Sequence, residues 1–600
     1  MRSSLLLLCA LSALLISACE PPATDDDDAT EEATPEPTPE PTPEPINPWN
    51  EGPYDAVPWG VARPFLFPGH NGDYNFEQEW TGQDSHVFVQ DPNGGASDLW
   101  GSDLVEMLGW SPPNVQWFFV SGSSNWQAQT QDMIDRIDAA LAELDAMGAE
   151  YGSKHWMPRM HVATVSRDDL GGVVEEVLKD AASQFGVGGG MSWQGFGIDR
   201  FQRIREVGLT RFVTSSGSAP DELWFVAHEP RYYNYEYERE AHKAANPADL
   251  SIPLWTGEQY GGGGRFFEIE VPENIADFDT LEIELTMGCV DGLDRNCYEW
   301  DYKADLKLCE IEVATADPPD DCSPVEVDPI TGDVITPAET TACSCTSPYT
   351  GPIERERTCN AVTDEAGDVV GSEWSACPCA CGPEVARWIT AYNRQGTWLT
   401  DITPSLAFLQ GGGPARLRFG TSYNYALSAE LRFRDTEEEA RPFDVVELWG
   451  GGDFNANYNA NHEPVEFTVP EGTVRAEVVA FITGHGFNSD KANCAEFCPH
   501  AHHFAVNGGT VHSDEHPEAD NYLGCIDQID DGAVPNQYGT WYLGRGGWCP
   551  GLDVPYFRAD VTDDLQATGT NTVTYEASLN GQPPDNAGNI WLSSYLVFYR

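Results

Sequence analysis

The sequence predicts a multidomain protein in which an α/β domain precedes a pair of antiparallel β-sandwiches, with a disulfide-rich insertion in the first sandwich. Three observations support this prediction. Short apolar runs alternate with amphipathic helical segments between residues 50 and 245. From about residue 255 the apolar residues recur at every second position, between turns rich in Gly, Asn, Asp and Pro. Apart from Cys9 and Cys19, all of the 16 cysteines lie after residue 288.

Residues 1–19, MRSSLLLLCALSALLISAC, combine one arginine with an apolar run as long as the core of a secretory signal peptide. They end in Ile16-Ser17-Ala18-Cys19, which resembles a bacterial lipobox, and that resemblance implies cleavage before Cys19 and its lipidation. We therefore expect export across the inner membrane and a lipid anchor in the bacterial envelope, at the outer membrane or the cell surface. The alternative is an ordinary signal peptide in which Cys19 has no role.

Residues 20–48 are acidic and then repeat the unit TPEP, a composition that cannot bury a core and that favours extended polyproline II structure. We expect a linker there, followed by an α/β domain at 49–248, a first sandwich at 249–440 and a second sandwich at 441–600. The disulfide-rich insertion occupies 309–382. No other run approaches the ~20 apolar residues of a membrane helix, so we expect membrane contact through the lipid anchor only.

The chain is strongly acidic, with 97 Asp and Glu residues against 32 Lys and Arg residues and a formal net charge of −65. There is no excess of cations to neutralise phosphates, which argues against nucleic acid as a partner. Many cysteines in an exported chain predict disulfides rather than free thiols.

The α/β domain is predicted from three buried strands and one amphipathic helix. The strands are HVFV at 86–89, VQWFFV at 115–120 and MHVATV at 160–165. The helix at 131–147 places Ile134, Ile137, Leu141 and Leu144 on one face. Strands that alternate with helices imply a largely parallel sheet. The order is loosely similar to thioredoxin-like domains, but the region has no cysteine, so we expect a scaffold or binding role rather than redox chemistry.

The insertion contains eight cysteines and few apolar residues. Such a segment is typical of a module stabilised by disulfides, because it cannot bury a sufficient core of its own. The CSC and CPCAC clusters could instead bind zinc, but the CxxC spacing of zinc sites is missing and the expected compartment is oxidising. We therefore expect disulfides, with a pairing that the sequence does not specify.

Three motifs outside the insertion each place a polar residue between or beside two cysteines. Cys289 and Cys297 precede YEWD, which ends in Asp301; Cys494 and Cys498 flank Glu496; Cys525 and Cys549 enclose a loop that carries Arg545 in GRGGWC. The motifs CVDGLDRNCYEWD, CAEFC and LGC…GRGGWCPGLDVP, with EVARWITAYNRQGTWLTDITPSL between the first two, resemble the peptide-N-glycosidase F family. The resemblance covers about 250–600 outside the insertion and implies two adjacent antiparallel jelly-roll sandwiches.

The resemblance implies an amidase that removes N-linked glycans from glycoproteins or glycopeptides, converting asparagine to aspartate and releasing a glycosylamine, without a cofactor. By motif it places the catalytic groups at Asp301, Glu496 and Arg545. These residue types suit the reaction, because a carboxylate can activate water and a guanidinium can stabilise an oxyanion or orient a carboxylate. Desolvation beside Trp300 is expected to raise the pKa of Asp301.

The same resemblance implies further residues at the site. The implied disulfides are Cys289–Cys297, Cys494–Cys498 and Cys525–Cys549. The implied substrate-binding residues are Trp300, Thr421, Tyr423, His485, Phe497 and Trp548.

One position departs from the family motif. After the segment that matches LAFLQGGGPARLRF the family has a glutamate, and here Thr421 stands in its place, between Gly420 and Ser422. A hydroxyl can bond to a sugar but carries no charge. We therefore expect weak or altered amidase activity, and the alternative is a glycan-binding protein of the same fold without turnover.

A histidine-rich motif follows the second cysteine pair, formed by His500, His502 and His503. In a strand, His500 and His502 point to one face, where they could bind copper or zinc with His485 or His512 as a third ligand. The sandwich pair also resembles the fold of copper-dependent peptide monooxygenases, which supplies a third hypothesis. Hydrolysis in the amidase family is metal-free, so we place the chemistry at Glu496 rather than at the histidines.

Overall fold

The computed structural model describes residues 47–600 with several gaps. The residues outside the description are 1–46, 92–98, 185–194, 215–216, 295–296, 299, 314–321, 328–333, 365–368 and 487–492. The predicted signal peptide, the lipidation residue Cys19 and most of the linker therefore lie outside the described residues. No helix in the described part of the chain is long and apolar enough to cross a membrane.

A mixed five-stranded sheet forms the centre of the region after the linker. The strands of this region are β1 (Leu66–Gly69), β2 (Gly72–Asn75), β3 (Ser85–Asp91), β4 (Val115–Ser121), β5 (Met160–Val162), β6 (Gly195–Ile198), β7 (Ile204–Arg205), β8 (Val213–Thr214) and β9 (Gly217–Ser218). The central sheet has the order β5-β4-β3-β6-β7. Strands β3, β4 and β5 are parallel, whereas β6 and β7 are antiparallel to their neighbours. The three predicted strands are present, but the sheet is mixed rather than largely parallel, because β6 and β7 form a short-turn hairpin instead of a crossover.

Seven helices accompany this sheet in the described residues. They are α1 (Phe76–Glu79), α2 (Leu104–Trp110), α3 (Trp126–Met147), α4 (Ser153–Trp156), α5 (Gly172–Gln184), α6 (Leu223–Val226) and α7 (His228–Ala245). The predicted helix is α3, which begins five residues earlier and ends at Gly148, where a φ of 69° requires a left-handed conformation. Ile137, Leu141 and Leu144 are buried as predicted, and Ile134 is partly buried. The likeness to thioredoxin-like domains stays a prediction.

From residue 250 onward the described strands pair antiparallel, as the alternating pattern predicts. The strands before residue 440 are β10 (Leu250–Val271), β11 (Thr280–Gly288), β12 (Lys303–Cys309), β13 (Ile311–Val313), β14 (Glu326–Val327), β15 (Val334–Thr336), β16 (Thr340–Thr346), β17 (Ile353–Thr363), β18 (Val369–Trp374), β19 (Cys381–Ile389), β20 (Gly396–Asp401) and β21 (Gly413–Arg434). Those after residue 440 are β22 (Pro442–Asp453), β23 (Val465–Phe467), β24 (Arg475–His485), β25 (His500–Val506), β26 (Val511–His516), β27 (Leu552–Val554), β28 (Phe557–Asp560), β29 (Asn571–Leu579) and β30 (Asn589–Tyr599). A short helix, α8 (Cys494–Phe497), precedes β25.

The strands expected to form the first sandwich are connected in one seven-stranded sheet. Its order is β20-β11-β21-β12-β19-β27, and β10 also pairs with β21. Strand β21 is the reason for this connection, because its 22 residues pair with β12 near the start of the strand and with β11 near its end. Strand β10 pairs with β21 along the same length, with bulges that bend the ladder. The strands of the predicted first sandwich are thus hydrogen-bonded into one sheet through the long strand β21.

The insertion forms its own small sheet, in the order β13-β16-β17-β18, beside the two-stranded pair β14-β15. Its eight cysteines pair with one another. The pairs are Cys309–Cys381, Cys322–Cys359, Cys343–Cys377 and Cys345–Cys379. Because the sulfurs of the CSC and CPCAC clusters are used in disulfides, they are not available as zinc ligands.

The second sandwich consists of two four-stranded antiparallel sheets. Their orders are β22-β30-β24-β28 and β23-β29-β25-β26. An apolar core lies between them and includes Val478 and Phe598 from the first sheet and Phe504 and Val573 from the second. The alternation of buried and less buried residues along β25 and β29 is the pattern that sheets with one inward face show.

A single apolar core extends through the seven-stranded sheet into the regions on either side. It includes Trp224 and Phe225 from α6 and Phe481 and Tyr595 from the second sandwich. The core is therefore continuous across the predicted domain boundaries near residues 248 and 440.

Two buried ion networks cross the same boundaries. Arg394 donates to Glu229 of α7 over 2.7 Å and also pairs with Asp294, and all three side chains are at most 3% exposed. Arg387 donates to Glu384 over 2.7 Å and to the Thr483 hydroxyl of β24 over 2.9 Å. Each buried guanidinium thus joins two regions of the chain, which fixes the regions in one arrangement.

Candidate active site

Three charged side chains that the sequence analysis singled out meet where the seven-stranded sheet contacts the second sandwich. Arg545 Nε donates to Glu496 Oε1 over 3.2 Å, and its Nη2 lies 3.5 Å from Asp301 Oδ2. Asp301 and Arg545 are 244 residues apart in the chain. The fold therefore brings together the three residues predicted to carry the chemistry.

Arg545 is held by its own loop as well as by the two carboxylates. Its side chain is 1% exposed. Nη1 donates to the carbonyls of Thr540 and Leu543, over 3.1 and 2.7 Å, and Nη2 donates to the Thr540 hydroxyl over 3.1 Å. With the two carboxylate contacts, these bonds engage all five N–H groups of the guanidinium. Its position and orientation are therefore fixed within the protein.

Asp301 follows the loop closed by the disulfide Cys289–Cys297. The Thr390 hydroxyl fixes the backbone on either side of Asp301, because it accepts from the N–H of Tyr302 and donates to the carbonyl of Trp300. The Tyr392 hydroxyl donates to the Asp301 carboxylate. Burial raises the pKa of Asp301 above its ordinary value, and the nearby Arg545 charge and the Tyr392 hydrogen bond limit that rise.

Glu496 lies in α8, whose single turn is closed by the disulfide Cys494–Cys498. Its side chain is 11% exposed, and Oε2 accepts from the Gly486 N–H over 3.0 Å. Burial raises the pKa of Glu496 to about 7, and the negative charge of Asp301 acts in the same direction against Arg545. A carboxyl group with this pKa exchanges protons near neutral pH, which suits an acid–base role.

The glycines of GRGGWC let two loops approach closely. The Gly546 N–H donates to the Glu496 carbonyl over 2.8 Å, and the Gly484 N–H donates to the Gly546 carbonyl over 2.8 Å. A Cβ atom at Gly546 would overlap the carbonyl of Ala495 and the ring of His500. Only glycine fits there, so the position beside Arg545 depends on the missing side chain.

Aromatic side chains surround this charged group. Arg545 Cζ lies 5.0 Å from the ring centroid of Phe497 and 4.9 Å from that of Trp548. His485 stacks on Trp548 at 5.1 Å and contacts Trp591 at 3.8 Å between ring centroids. Burial lowers the pKa of His485 well below its ordinary value, so the ring is neutral. Four of the predicted substrate-binding residues thus lie in or next to the segments that carry the charged residues. They are His485, Phe497, Trp548 and Trp300, and the last of these is 48% exposed.

Thr421 is not joined to the charged group by any hydrogen bond of the described residues. It lies in β21 opposite Gly263, is 9% exposed, and its hydroxyl has no hydrogen-bond partner in the part of the chain that the structure describes. Its backbone N–H and carbonyl both contact the hydroxyl of Tyr260. The backbone of Tyr423 belongs to the same strand, and its side chain lies outside the described part of the structure.

The histidine motif forms a cluster with a different third member from the one predicted. His500 and His502 share a face of β25, and the residue opposite His500 on β26 is His516. One nitrogen from each of these three rings lies within 4.8 Å of the other two. The expected third ligands are elsewhere, because His485 stacks on Trp548 and His512 lies opposite Phe504 in the β25–β26 ladder.

Tyr392 and Trp591 are two residues of the site that the sequence analysis missed. Tyr392 stands within the quoted segment EVARWITAYNRQGTWLTDITPSL, but its contact with Asp301 depends on how β19 is placed in the sheet. Trp591 is 40% exposed on β30, whose neighbouring positions are buried. An exposed tryptophan in an otherwise alternating strand is the signal that could have found it.

The C-terminal region is similar to known proteins. Residues 453–597 match the family model described as "Peptide-N-glycosidase F, C terminal". The chain is also 31% identical over 112 residues to peptide-N(4)-(N-acetyl-beta-D-glucosaminyl)asparagine amidase F of Elizabethkingia miricola. That match covers 18% of this chain and 29% of the relative, so less than a third of the relative's length is matched.

Solved structures with low sequence identity also resemble the chain. For PNGase F, a glycosylasparaginase from Flavobacterium meningosepticum, the identity is 17%, the TM-score is 0.36, and the match covers 58% of this chain and 95% of that one. For PNGF-II, the identity is 15%, the TM-score is 0.36, and the match covers 60% of this chain and 67% of that one.

Proposed function

The chain carries a C-terminal domain of the peptide-N-glycosidase F type, and on this premise we propose that it is an extracytoplasmic amidase acting on N-linked glycoproteins. The observation that carries the proposal is the meeting of Asp301, Glu496 and Arg545 at one buried position, from three segments that are each closed by their own disulfide. The substrate is the amide that joins a glycan to an asparagine side chain.

Asp301 acts as the base in this reaction. It takes a proton from a water molecule, whose oxygen attacks the side-chain carbonyl carbon of the glycosylated asparagine. The tetrahedral intermediate then collapses, the bond from that carbon to the nitrogen breaks, and the nitrogen takes up the proton. The products are aspartate in the protein and a free glycosylamine. The raised pKa of Asp301 favours this exchange, because a base works best when its pKa is close to the working pH.

Arg545 and Glu496 support that base in different ways. All N–H groups of Arg545 are already engaged, so it acts through its positive charge and by holding both carboxylates, rather than as a free donor to the substrate. Among the described residues, the second oxygen of Glu496 accepts a hydrogen bond only from the Gly486 N–H, and it can hold the attacking water or a sugar hydroxyl. The surrounding aromatic rings offer apolar faces to a bound glycan.

The direct test is incubation of the full chain with a denatured N-glycosylated protein, followed by mass measurement of the peptides. Amidase cleavage leaves Asp at each former glycosylation site, whereas cleavage between sugars leaves an asparagine that still carries a sugar. Conversion of Asn to Asp is the expected result. Intact glycopeptides after prolonged incubation, or peptides that retain one sugar, would overturn the proposal.

A second candidate function is glycan binding without turnover, and the uncharged Thr421 is the observation that favours it. A charge-assisted hydrogen bond contributes about 1.5 to 3 kcal/mol, or about 10- to 150-fold in rate or affinity, and a threonine cannot supply it as a carboxylate would. Thr421→Glu is therefore expected to raise glycan release by about tenfold or more. Thr421→Gln introduces a side chain of the same size as glutamate but without its charge, so it should not raise glycan release.

The comparison of these variants separates the two candidates. A gain in Thr421→Glu alone supports the amidase and the role of this position together. If wild type and Thr421→Glu both release nothing while wild type still binds N-glycans, glycan binding replaces the amidase proposal.

We also propose that Cys19 carries a lipid that anchors the protein to the bacterial envelope. The lipobox-like Ile16–Cys19 and the acidic, proline-rich linker support this. A Cys19→Ser variant is expected to leave the membrane fraction, and equal retention of variant and wild type would refute the anchor.

A further inference from the structure

Three histidines meet in the second sandwich, beside the Gly546–Gly547 segment that follows Arg545. His500 and His502 lie on one face of β25, and His516 is opposite His500 on β26. The three residues are at most 7% exposed. One ring nitrogen from each lies within 4.8 Å of the other two. Buried polar groups normally have hydrogen-bond partners, so three buried rings that face one another call for a chemical explanation.

Two of the rings are each held on one side by a polar neighbour. His502 Nδ1 lies 2.6 Å from the Tyr575 hydroxyl, and His516 Nδ1 lies 3.2 Å from Glu518 Oε1. Metal-binding histidines have this arrangement, in which a carboxylate, hydroxyl or carbonyl fixes one nitrogen and leaves the other for the metal. The remaining nitrogen of each ring is Nε2.

In His500 the two nitrogens have exchanged roles, so that Nδ1 and not Nε2 faces the other two rings. Its Nε2 lies beside the carbonyl of Ala495, and its Nδ1 lies 2.9 Å from His502 Nε2. Two nitrogens bound to one zinc ion, each at ~2.0 to 2.1 Å, lie about 3 Å apart, so this spacing is compatible with a shared metal.

A hydrogen bond between the two rings is the alternative explanation of the 2.9 Å spacing. It accounts for His500 and His502 but not for His516, whose Nε2 is buried and has no hydrogen bond of normal geometry among the described residues. Asp514 Oδ2 lies 3.3 Å from that nitrogen without hydrogen-bond geometry. A metal ion would satisfy all three inward nitrogens at once.

The surroundings also suit a cation with an exchangeable ligand. The carboxylates of Asp514 and Glu518 lie next to His516 and can balance the positive charge of a bound cation. His500 and His516 line a cavity of about 600 Å³ together with Glu515 and Glu576. A fourth ligand, such as water, can enter from that cavity, as in zinc sites with three protein ligands.

We propose that His500, His502 and His516 bind one Zn²⁺ or Cu²⁺ ion in the second sandwich. Imidazole nitrogen selects ions of this class, whereas Mg²⁺ and Ca²⁺ prefer oxygen ligands. The proposal does not rest on the amidase proposal, because the three histidines are not bonded to Asp301 or Arg545.

The test is equilibrium dialysis of the full chain, without any affinity-tag histidines, against Zn²⁺ alone or Cu²⁺ alone at about pH 8, where free imidazole is neutral. Metal bound per protein is then measured by elemental analysis. One equivalent is expected in wild type, and a thermal melt should rise in temperature when that ion is added.

The matched variants are His502→Gln and His503→Gln. His503 is on the same strand but on its other face, bonded to the Ser513 hydroxyl over 2.7 Å, so its variant should keep the full equivalent. His502→Gln should lose it. Because a ligand variant could fail to fold, Tyr575→Phe supplies a second measurement, since loss of the hydroxyl that orients His502 should weaken binding by about 10- to 100-fold.

Each outcome decides the proposal. Loss of the equivalent in His502→Gln, with retention in His503→Gln, supports the site. Wild type that retains neither ion overturns it, and so does binding that is unchanged in both His502→Gln and Tyr575→Phe, because the ion would then be bound elsewhere.

Discussion

Arg545 is the residue that allows two carboxylates to share one buried position. Without a cation, two carboxyl groups so close together could not both ionise, because burial and mutual repulsion would each oppose the second charge. The guanidinium contacts Glu496 through Nε and Asp301 through Nη2, so the two carboxyl groups titrate as a linked pair. The chemistry of the site therefore depends on a residue that does not itself exchange protons.

Replacement of Asp301 by asparagine tests its role as the base. Asp301→Asn keeps the size of the side chain but cannot accept the proton, so glycan release is expected to fall by ~10² to 10⁴. The measurement is kcat/KM with an N-glycopeptide, together with a melting curve that shows the fold is kept. Asp291→Asn, an exposed aspartate in the preceding disulfide loop, is the matched control and should retain activity. Undiminished release by Asp301→Asn would eliminate the mechanism.

The raised pKa of Glu496 predicts a pH-dependent stability cost. Its folded-state pKa is about 7 against an ordinary value of 4.5, so the ionised form is the less stable one in the folded protein. Wild type therefore loses free energy of unfolding as the pH rises from 4.5 through 7, by about 3 kcal/mol at ~1.36 kcal/mol per pK unit. Glu496→Gln does not have this loss.

The measurement is urea denaturation of Glu496→Gln and wild type at about pH 4 and about pH 8. From about pH 4 to about pH 8, the unfolding free energy of Glu496→Gln minus that of wild type should rise by up to about 3 kcal/mol. Glu471→Gln, at an exposed glutamate, should show no such shift. A difference that is the same at both pH values would mean that Glu496 is not destabilised by burial.

The sequence could predict Asp301, Glu496 and Arg545 because each lies inside a short motif whose cysteines mark its ends. It does not indicate that Tyr392 contacts Asp301 or that Trp591 contacts His485, because these contacts depend on how distant strands are placed against one another. The prediction of His485 or His512 as the third histidine of the cluster was wrong for a related reason. His516 lies opposite His500 only because β25 and β26 pair in one particular register, and register is a property of the ladder rather than of either strand.

At the scale of elements, α8 is a helix too short to be stable through its own hydrogen bonds. A single turn has an unfavourable nucleation cost, and here the disulfide Cys494–Cys498 closes it. The loop it closes has a sequence separation of only 4, so this disulfide lowers the entropy of the unfolded chain less than one that closes a long loop. Its main effect is to place Glu496.

Removal of two different disulfides should separate stability from activity. Cys494→Ala with Cys498→Ala is expected to cost about 2 kcal/mol of stability, while glycan release falls because Glu496 is no longer held. Cys322→Ala with Cys359→Ala, at a sequence separation of 37 in the insertion, should cost about 4 kcal/mol and leave kcat/KM unchanged. Equal losses of activity in the two double variants would show that the α8 disulfide has only a general stabilising role.

The long strands explain where prediction of the fold was incomplete. Alternating residues after about residue 255 predict strands, and β10 and β21 are among the strands found there. The same pattern does not specify partners, so it could not indicate that β21 pairs with β11 and β12 in turn and so joins the predicted first sandwich into one sheet. Helix α3 was easier to predict, because its 3.6-residue pattern concerns only local neighbours.

At the scale of the whole molecule, the α/β region and the region of the site are packed as one body. Phe212 and Trp224 belong to the apolar core that continues under the seven-stranded sheet, and Phe212 contacts Tyr542 of the Arg545 loop at 4.4 Å between ring centroids. The Arg394 network adds a polar link, since Asp294 lies in the disulfide loop before Asp301. The α/β region therefore supports the loops that form the site.

Loss of the Arg394 charge should be costly for this reason. Arg394→Met leaves Glu229 and Asp294 as buried carboxylates without their cation, which is expected to lower the free energy of unfolding by about 3 to 5 kcal/mol. The exposed pair of Arg265 with Glu258 provides the control, and Arg265→Met should change stability by less than about 1 kcal/mol. Chemical denaturation of both variants measures the difference, and similar values for the two would show that the buried network does not hold the regions together.

The disulfide Cys309–Cys381 gives the insertion an unusual relation to the rest of the chain. Its two Cα atoms are 3.9 Å apart and face each other at the end of the β12–β19 ladder, so the chain leaves the sheet and returns to it at one point. Seen from the sheet, a module of about seventy residues occupies the place of an ordinary hairpin turn. A change in the length of the module is therefore expected to leave the pairing of β12 with β19 in the same register.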